Sequence, residues 1–223
     1  MFPIYICWDK HVTEIEKNAI MRAIEEVESI FGCRVYCYGN TTWLEGKYRS
    51  ADEIMATIPR RPNGRVDGTR TMDLMVEIMK TWTEPGVFIL FTGEELTMGE
   101  LNWCFGCART GKKVAVESTA WYRSLPEWQR RVCIAHTLRH ELGHTFRCAA
   151  NLKRSNTVDR LGPHCTNKGC TMRQTGTMDE LLAAINEEDP RHYFCDQCMN
   201  DMRAFKKAQE TPSPIRPCGR RGA

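Results

Sequence analysis

Four cysteines in the C-terminal third constrain the fold of this sequence more than any other feature. Four residues separate Cys165 from Cys170, and two separate Cys195 from Cys198. Two close pairs on either side of a helix-sized segment have the spacing that a tetrahedral zinc site of four thiolates requires. Such a site is structural, because it leaves no position for water. We therefore expect a structural zinc ion here; the alternative is two reduced cysteine pairs without metal.

The overall use of cysteine favours metal binding over disulfides. The chain contains 12 cysteines among 223 residues. Its first residues, MFPIYICWDKH, lack the basic leader and the cleavage site of a secretory signal and are typical of a first strand. We therefore expect a cytoplasmic protein, in which thiols stay reduced and bind metal more often than they form disulfides.

A second metal-ligand pattern occupies residues 140–144, which read His-Glu-Leu-Gly-His. Positions i and i+4 of an α-helix share one face, so His140 and His144 can direct two ring nitrogens at one ion. Glu141 can then act as general base on a water molecule at that ion. A catalytic zinc normally takes three protein ligands, and His164 is the first candidate for the third because a Gly-Pro turn precedes it. The further candidates are Asp159, Glu180 and His192.

The residues around this motif have the spacing of an amphipathic helix that begins near Pro126. Four apolar residues form a narrow stripe nearly opposite the two histidines, so core packing and metal binding do not compete. This stripe consists of Ala135, Leu138, Leu142 and Phe146.

Strand and helix patterns alternate along the first two thirds of the chain. This alternation predicts an α/β fold around a mixed, mostly parallel twisted sheet. Predicted strands cover residues 3–7, 34–38, 87–91 and 113–117, and predicted helices cover 13–31, 71–82 and 177–186.

We expect three parts of different character. The N-terminal α/β part, with the active-site helix, covers residues 1–147, and a small zinc-stabilised C-terminal subdomain covers 148–210. Residues 211–223 are rich in proline, arginine and glycine, so we expect a flexible tail.

Charge and hydropathy narrow the classes of partner. The net charge of +3 is too small to indicate a nucleic-acid partner. No apolar run approaches the roughly 20 residues that cross a bilayer. We expect a monomer without nucleic-acid or membrane partners.

Together, these motifs resemble those of the archaemetzincins, metzincin-type zinc metalloproteases with a second, cysteine-bound zinc. The resemblance extends weakly over residues 3–200 and is specific over 136–198. The motifs that carry it are His-Glu-Leu-Gly-His-Thr-Phe from His140, His-Cys-x4-Cys-x-Met from His164, and Cys-x2-Cys from Cys195.

The resemblance implies a zinc metallopeptidase that hydrolyses peptide bonds of peptide or protein substrates and holds two zinc ions. It implies that His140, His144 and His164 bind the catalytic zinc. Glu141 would be the general base, and Met172 would be the methionine of the turn beneath the metal. The strand at 113–118 would be the sheet edge that pairs with substrate. The second zinc would be held by Cys165, Cys170, Cys195 and Cys198.

Two features depart from the family pattern. Arg147 stands where metzincins have the glycine that ends the helix, and 19 residues, rather than five, separate His144 from His164. We expect the helix to continue through residues 148–150 and the chain to turn at Asn151. The basic segment 148–161 would then protrude as a loop beside the cleft.

Two other functions remain open. A gluzincin-type peptidase would use Glu180 as the third ligand. A non-catalytic zinc module would recognise protein or nucleic acid through its cysteines, but it leaves Glu141 without a role.

Three further sets of residues have weaker functional signals. We expect Cys104 and Cys107 to be exposed thiols near the sheet edge without metal. We expect His136 to lie at the surface or behind the ligands. Cys148 is a weak candidate for a regulatory thiol.

Overall fold

The computed structural model describes residues 2–42, 48–81 and 86–210. The tail at 211–223 and Trp82, the last residue of one predicted helix, lie outside these ranges. The strands are β1 (Ile4–Trp8), β2 (Val35–Cys37), β3 (Val66–Asp67), β4 (Val87–Thr92), β5 (Leu96–Met98), β6 (Leu101–Cys104), β7 (Gly106–Ala108), β8 (Val114–Ser118), β9 (Thr157–Asp159) and β10 (Pro163–Cys165). The helices are α1 (Glu14–Phe31), α2 (Ala51–Ala56), α3 (Gly68–Lys80), α4 (Glu127–Thr145), α5 (Met178–Glu187) and α6 (Asp196–Glu210).

The central sheet has five strands in the order β2-β1-β4-β8-β7. The first four strands are parallel, and β7 is antiparallel to β8. The predicted mixed, mostly parallel sheet is therefore confirmed. The predicted edge at 113–118 is wrong, because β7 pairs with the outer side of β8 and is itself the edge strand. A strand as short as Gly-Cys-Ala, without β-branched residues, has no recognisable signal in the sequence.

Helices cover both faces of this sheet. All six residues of β4 are buried, and they alternate between the two faces. Val87, Ile89 and Phe91 pack towards α1 and α4, whereas Phe88 and Leu90 pack towards α2 and α3. The continuous apolar run of β4 follows from this two-sided burial.

Helix α1 begins where its capping pattern predicts. The side chain of Thr13 accepts a hydrogen bond from the backbone N–H of Glu16 at 3.5 Å, and the carboxylate of Glu16 accepts one from the backbone N–H of Thr13 at 2.7 Å. In α4, the predicted apolar stripe is buried against the core. Its members are Ala135, Leu138, Leu142 and Phe146.

Helix α4 ends earlier than expected. It stops at Thr145, and Arg147 adopts a left-handed backbone with φ of 62°. The N–H of Cys148 then bonds the carbonyl of Gly143 at 2.8 Å. A bond across five residues is typical of a helix that ends in a residue with left-handed backbone conformation. The expected continuation through residues 148–150 is therefore wrong, because Arg147 takes the conformation that a glycine would provide.

The segment after α4 is more ordered than the expected loop. Cys148 and Ala149 are buried, and the segment ends in the β9–β10 hairpin, which aligns His164 with Val158. A separate three-stranded sheet, in the order β3-β5-β6, precedes β7. None of the described helices is both long and apolar enough to cross a membrane.

Candidate functional site

Three histidine side chains converge above helix α4. His140 and His144 lie one turn apart on this helix, and His164 reaches them from β10. Their ligand atoms all lie within 4.8 Å of one another, and the two Nε2 atoms of His140 and His144 are 3.1 Å apart. This cluster contains His164 and none of the alternatives Asp159, Glu180 and His192.

Hydrogen bonds to backbone carbonyls fix the orientation of two of these rings. Nδ1 of His140 bonds the carbonyl of Thr171 at 2.7 Å, and Nδ1 of His164 bonds the carbonyl of Gly162 at 2.9 Å. A carbonyl only accepts, so each Nδ1 carries the proton and each Nε2 keeps a free lone pair. Burial lowers the pKa of His144 to about 3 and that of His140 well below its usual value. Neutral imidazoles with free Nε2 atoms fit a divalent transition metal.

A buried ionic network fixes the carbonyl behind His140. Glu188, at the C-terminal end of α5, accepts hydrogen bonds from Nδ1 of His136 at 2.9 Å, from Arg139 at 2.8 Å and from the hydroxyl of Thr171. Thr171 is therefore held at both its side chain and its backbone carbonyl. His136 is only 2% exposed, which excludes the surface, one of its two expected positions; its ring centroid lies 6.2 Å from that of His140.

The carboxylate of Glu141 lies beneath the edge strand. A Cβ at Gly106 in β7 would lie 2.9 Å from both Cγ and Oε1 of Glu141, so only a glycine leaves space for this side chain. The second oxygen, Oε2, is buried and has no hydrogen-bond partner among the described residues. Burial raises the pKa of Glu141 to about 8. A buried carboxyl with one uncommitted oxygen can accept and return a proton.

Glu117 is a second buried acid, which was not predicted from the sequence. It lies on β8 directly opposite Gly106 and is 2% exposed. Its Oε1 has no partner within the described part of the chain, and burial, followed by the charge of Glu141, raises its pKa well above the usual value. The strand pattern gave no signal for it, because a single acid in a short strand normally faces solvent.

Met172 lies directly under the histidine-bearing turn of α4. It is fully buried, and a Cβ at Gly143 would collide with its sulfur. The glycine of the His-Glu-Leu-Gly-His motif therefore permits close packing of Met172 against the helix.

The four C-terminal cysteines form a second cluster. Sγ of Cys165 lies 3.8 Å from Sγ of Cys195, and Sγ of Cys170 lies 3.8 Å from Sγ of Cys198. Four sulfurs about 2.3 Å from the centre of a tetrahedron are about 3.8 Å apart, whereas a disulfide brings two sulfurs to about 2.05 Å. Hydrogen bonds with Cys170 and Cys198 lower the pKa of the Cys165 thiol. The donor set therefore fits zinc.

The other cysteines within the described residues lie outside both clusters. Cys104 and Cys107 are 7% and 4% exposed, so their expected exposure is wrong; they pack under the edge of the sheet. Cys148 is also buried, which removes the access that a regulatory thiol needs.

A cavity of about 520 Å³ opens above the histidine cluster. Its lining comes from the strands β5 to β7, from α4 and from residues 160–162, 164 and 173–177. The edge strand β7 and the three histidines therefore line the same cleft. Its lining includes Trp103, Phe105, Arg160, Leu161, Thr175 and Glu180.

No family model matches the sequence, and no curated protein matches it. Solved structures do match it in fold. The archaemetzincin of Methanopyrus kandleri is 19% identical, with a TM-score of 0.60 over 92% of this chain and 96% of that chain. A zinc-dependent peptidase from Methanocorpusculum labreanum is 19% identical, with a TM-score of 0.62 over 89% and 99%. The archaemetzincin of Archaeoglobus fulgidus is 18% identical, with a TM-score of 0.52 over 90% and 99%. The predicted archaemetzincin fold is therefore confirmed.

Proposed function

We propose that this chain is a zinc-dependent peptidase with two zinc ions, one catalytic and one structural. His140, His144 and His164 hold the catalytic zinc. The observation that carries this proposal is the convergence of three neutral imidazoles in one cleft, beside a buried carboxylate. Similar solved structures described as archaemetzincins and as a zinc-dependent peptidase support it.

Glu141 is the general base and acid of this reaction. When bound, zinc supplies Lewis acidity that polarises a peptide carbonyl and lowers the pKa of a water molecule towards about 7. Glu141 takes the proton of the attacking water on its uncommitted oxygen and passes it to the amine that leaves. Gly106 keeps space for this carboxylate, and Met172 supports the helix turn below it.

The substrate is a peptide or protein bound in an extended conformation. β7 pairs with β8 on one side, and no described strand pairs with its other side. An extended segment can therefore add to this edge by backbone hydrogen bonds and lie across the cleft. Gly106 then places the scissile bond near Glu141.

The four cysteines hold the structural zinc and organise residues 148–210 as a C-terminal subdomain. They come from β10, from the turn after it and from the start of α6. One ion would therefore join three separate segments of the chain. Three of the four are fully or almost fully buried, as a site closed to water requires.

The central test compares wild type with Glu141→Gln. Glu141→Gln keeps the shape of the side chain and removes its proton affinity, so we expect two zinc ions per chain and at least a hundredfold loss of kcat on quenched fluorescent peptides. Zinc content is measured by elemental analysis. Full hydrolysis by Glu141→Gln would exclude this mechanism.

A pair of alanine variants identifies the third ligand. We expect His164→Ala to retain one zinc ion per chain. Glu180→Ala should retain two, because the carboxylate of Glu180 bonds the N–H of Gly176 at 2.5 Å and lies outside the histidine cluster. The reverse result would favour a gluzincin-type site.

A further inference from the structure

The hairpin between β9 and β10 places its tip at the rim of the cleft. The tip consists of Arg160, Leu161 and Gly162, and all three line the cavity. The N–H of Arg160 bonds the carbonyl of Gly162 at 3.1 Å, and the same carbonyl accepts a hydrogen bond from His164. The tip is therefore held in a fixed position relative to the histidine cluster.

Leu161 has an unfavourable conformation and an unfavourable environment. Its φ of 58° lies in the left-handed region, which costs a residue other than glycine about 1–2 kcal/mol. Its side chain is 55% exposed, so it gains little from burial in the protein itself. Backbone strain of this kind is concentrated at ligand-binding sites. An exposed apolar residue held at a cleft rim is suited to contact a bound molecule.

Arg160 is a basic residue of the cleft lining. It is exposed, and none of the described carboxylates forms an ion pair with it. Two other charged residues of the same lining have partners elsewhere: Arg173 pairs with Glu187 at 2.5 Å, and Glu180 bonds a backbone N–H. A free guanidinium next to an apolar side chain complements a carboxylate next to an apolar group.

We propose that the tip of the β9–β10 hairpin is a substrate-recognition site for acidic peptides. Arg160 binds a carboxylate of the peptide, and Leu161 packs against an apolar side chain beside it. The carboxylate belongs either to an aspartate or glutamate side chain or to the end of the peptide chain. Selection among substrates rests on the proposed peptidase function, whereas peptide binding at the rim does not.

Peptide binding to zinc-loaded Glu141→Gln tests the inference without turnover. Labelled peptides carry Asp, Asn or Lys at successive positions and end in a free carboxylate or an amide, and fluorescence anisotropy gives Kd. We expect a peptide with a carboxylate to bind about fivefold more tightly than its neutral counterpart, with a smaller ratio at high salt. If amidation removes the preference, the chain end is the source; if Asn removes it, the side chain is.

Charge variants locate the effect. Arg160→Gln should abolish the acidic preference, and Arg160→Glu should reverse it in favour of Lys. Lys153→Gln is the matched control, because Lys153 is exposed in the same basic segment, 148–161, and lies outside the cleft lining. These substitutions are made in Glu141→Gln, the parent protein. The preference of the Lys153→Gln variant for acidic peptides should equal that of this parent. A parent without acidic preference, or an equal loss in Arg160→Gln and Lys153→Gln, would overturn the proposal.

Leu161 has its own control. Leu161→Ser should weaken binding of peptides with an apolar residue beside the carboxylate by about fivefold. Leu152→Ser should leave it unchanged, because Leu152 is similarly exposed, at 48%, but does not line the cleft. Equal effects of the two variants would contradict the contact.

The two proposals can fail separately. Selective peptide binding without hydrolysis by the wild type would refute the peptidase function alone. Hydrolysis without a preference for acidic peptides would refute the recognition site alone.

Discussion

Glu117 and Glu141 are two acids buried on the same side of the sheet, with Gly106 between them. Each has one oxygen without a hydrogen-bond partner in the described structure. A carboxyl group held this way reduces stability whenever it must be ionised. Glu141 has a proposed role in proton transfer, whereas Glu117 has none, so its contribution can be measured through stability alone.

We predict that Glu117→Gln makes stability less dependent on pH. Burial raises the pKa of Glu117 well above its usual 4.5, so the folded protein retains a proton that the unfolded chain releases above about pH 4.5. The free energy of unfolding of the wild type therefore falls as pH rises from 4.5, and this contribution is absent in Glu117→Gln. The difference between the two proteins should grow by at most about 1.4 kcal/mol per pH unit.

Urea unfolding of both zinc-loaded proteins at pH 5, 6, 7 and 8 measures this difference. Glu141 is present in both proteins, so its own titration largely cancels. Glu77→Gln controls for the loss of a carboxylate, because Glu77 is an exposed residue on α3. Parallel stability curves for wild type and Glu117→Gln would contradict the prediction.

At the scale of elements, two kinds could be predicted from the sequence: helices whose apolar residues repeat at helical spacing, and strands whose apolar residues run without interruption. Helices α1 and α4 and strand β4 are of these kinds. Helix α6 was missed because its buried residues, such as Cys198 and Met202, stand among many polar ones. The end of α4 was misplaced because Arg147 adopts a left-handed conformation that its residue type does not indicate.

The contact between α4 and α5 depends on Glu188. This carboxylate is 4% exposed and partners two buried groups of α4, His136 and Arg139. We predict that Glu188→Ala destabilises the protein by about 1–3 kcal/mol, because His136 and Thr171 would lose a buried acceptor, whereas Arg139 would keep its ion pair with Glu26. It should also weaken zinc binding by about 10–100-fold, since Thr171 would no longer hold His140 rigidly. Urea unfolding and competition with a zinc chelator measure these effects.

Glu187→Ala is the matched control, one residue earlier. Glu187 pairs with Arg173 at the surface, where both side chains are 37% exposed. Its removal should cost no more than about 1 kcal/mol and leave zinc affinity unchanged. Similar losses in Glu187→Ala and Glu188→Ala would show that the buried network does not support the site.

At the scale of the whole molecule, the candidate ligands could be predicted but their surroundings could not. His140, His144 and the four cysteines follow local spacing rules, which a sequence displays directly. The groups that position them come from distant segments: Gly106 from the edge strand, and Glu188 from the end of α5. Such pairings depend on tertiary packing, and a single sequence carries no local sign of them.

Zinc removal should separate the two proposed metal sites. The histidine cluster opens to the cleft, whereas Cys165, Cys170 and Cys198 are at most 3% exposed. Chelator should therefore extract the catalytic zinc first, abolishing hydrolysis with a small change in Tm. Loss of the second zinc should release the segments that it joins, because structural zinc contributes folding free energy directly. Hydrogen exchange would then rise across residues 165–210, while β1, β4 and β8 stay protected.

Two cysteine variants check this order independently of the chelator. Cys198→Ser removes one thiolate of the buried cluster and should lower zinc content to one ion per chain, with faster exchange across the C-terminal segments. Cys37→Ser is the matched control, because Cys37 lies on β2 outside the cluster and should leave two ions bound. If both ions leave at the same rate, or if Cys198→Ser keeps two, the four cysteines do not form a separate structural site. The proposed boundary between the N-terminal part and the C-terminal subdomain, at residue 148, would then lose its physical basis. The C-terminal segments already share one apolar core with α1 and α4.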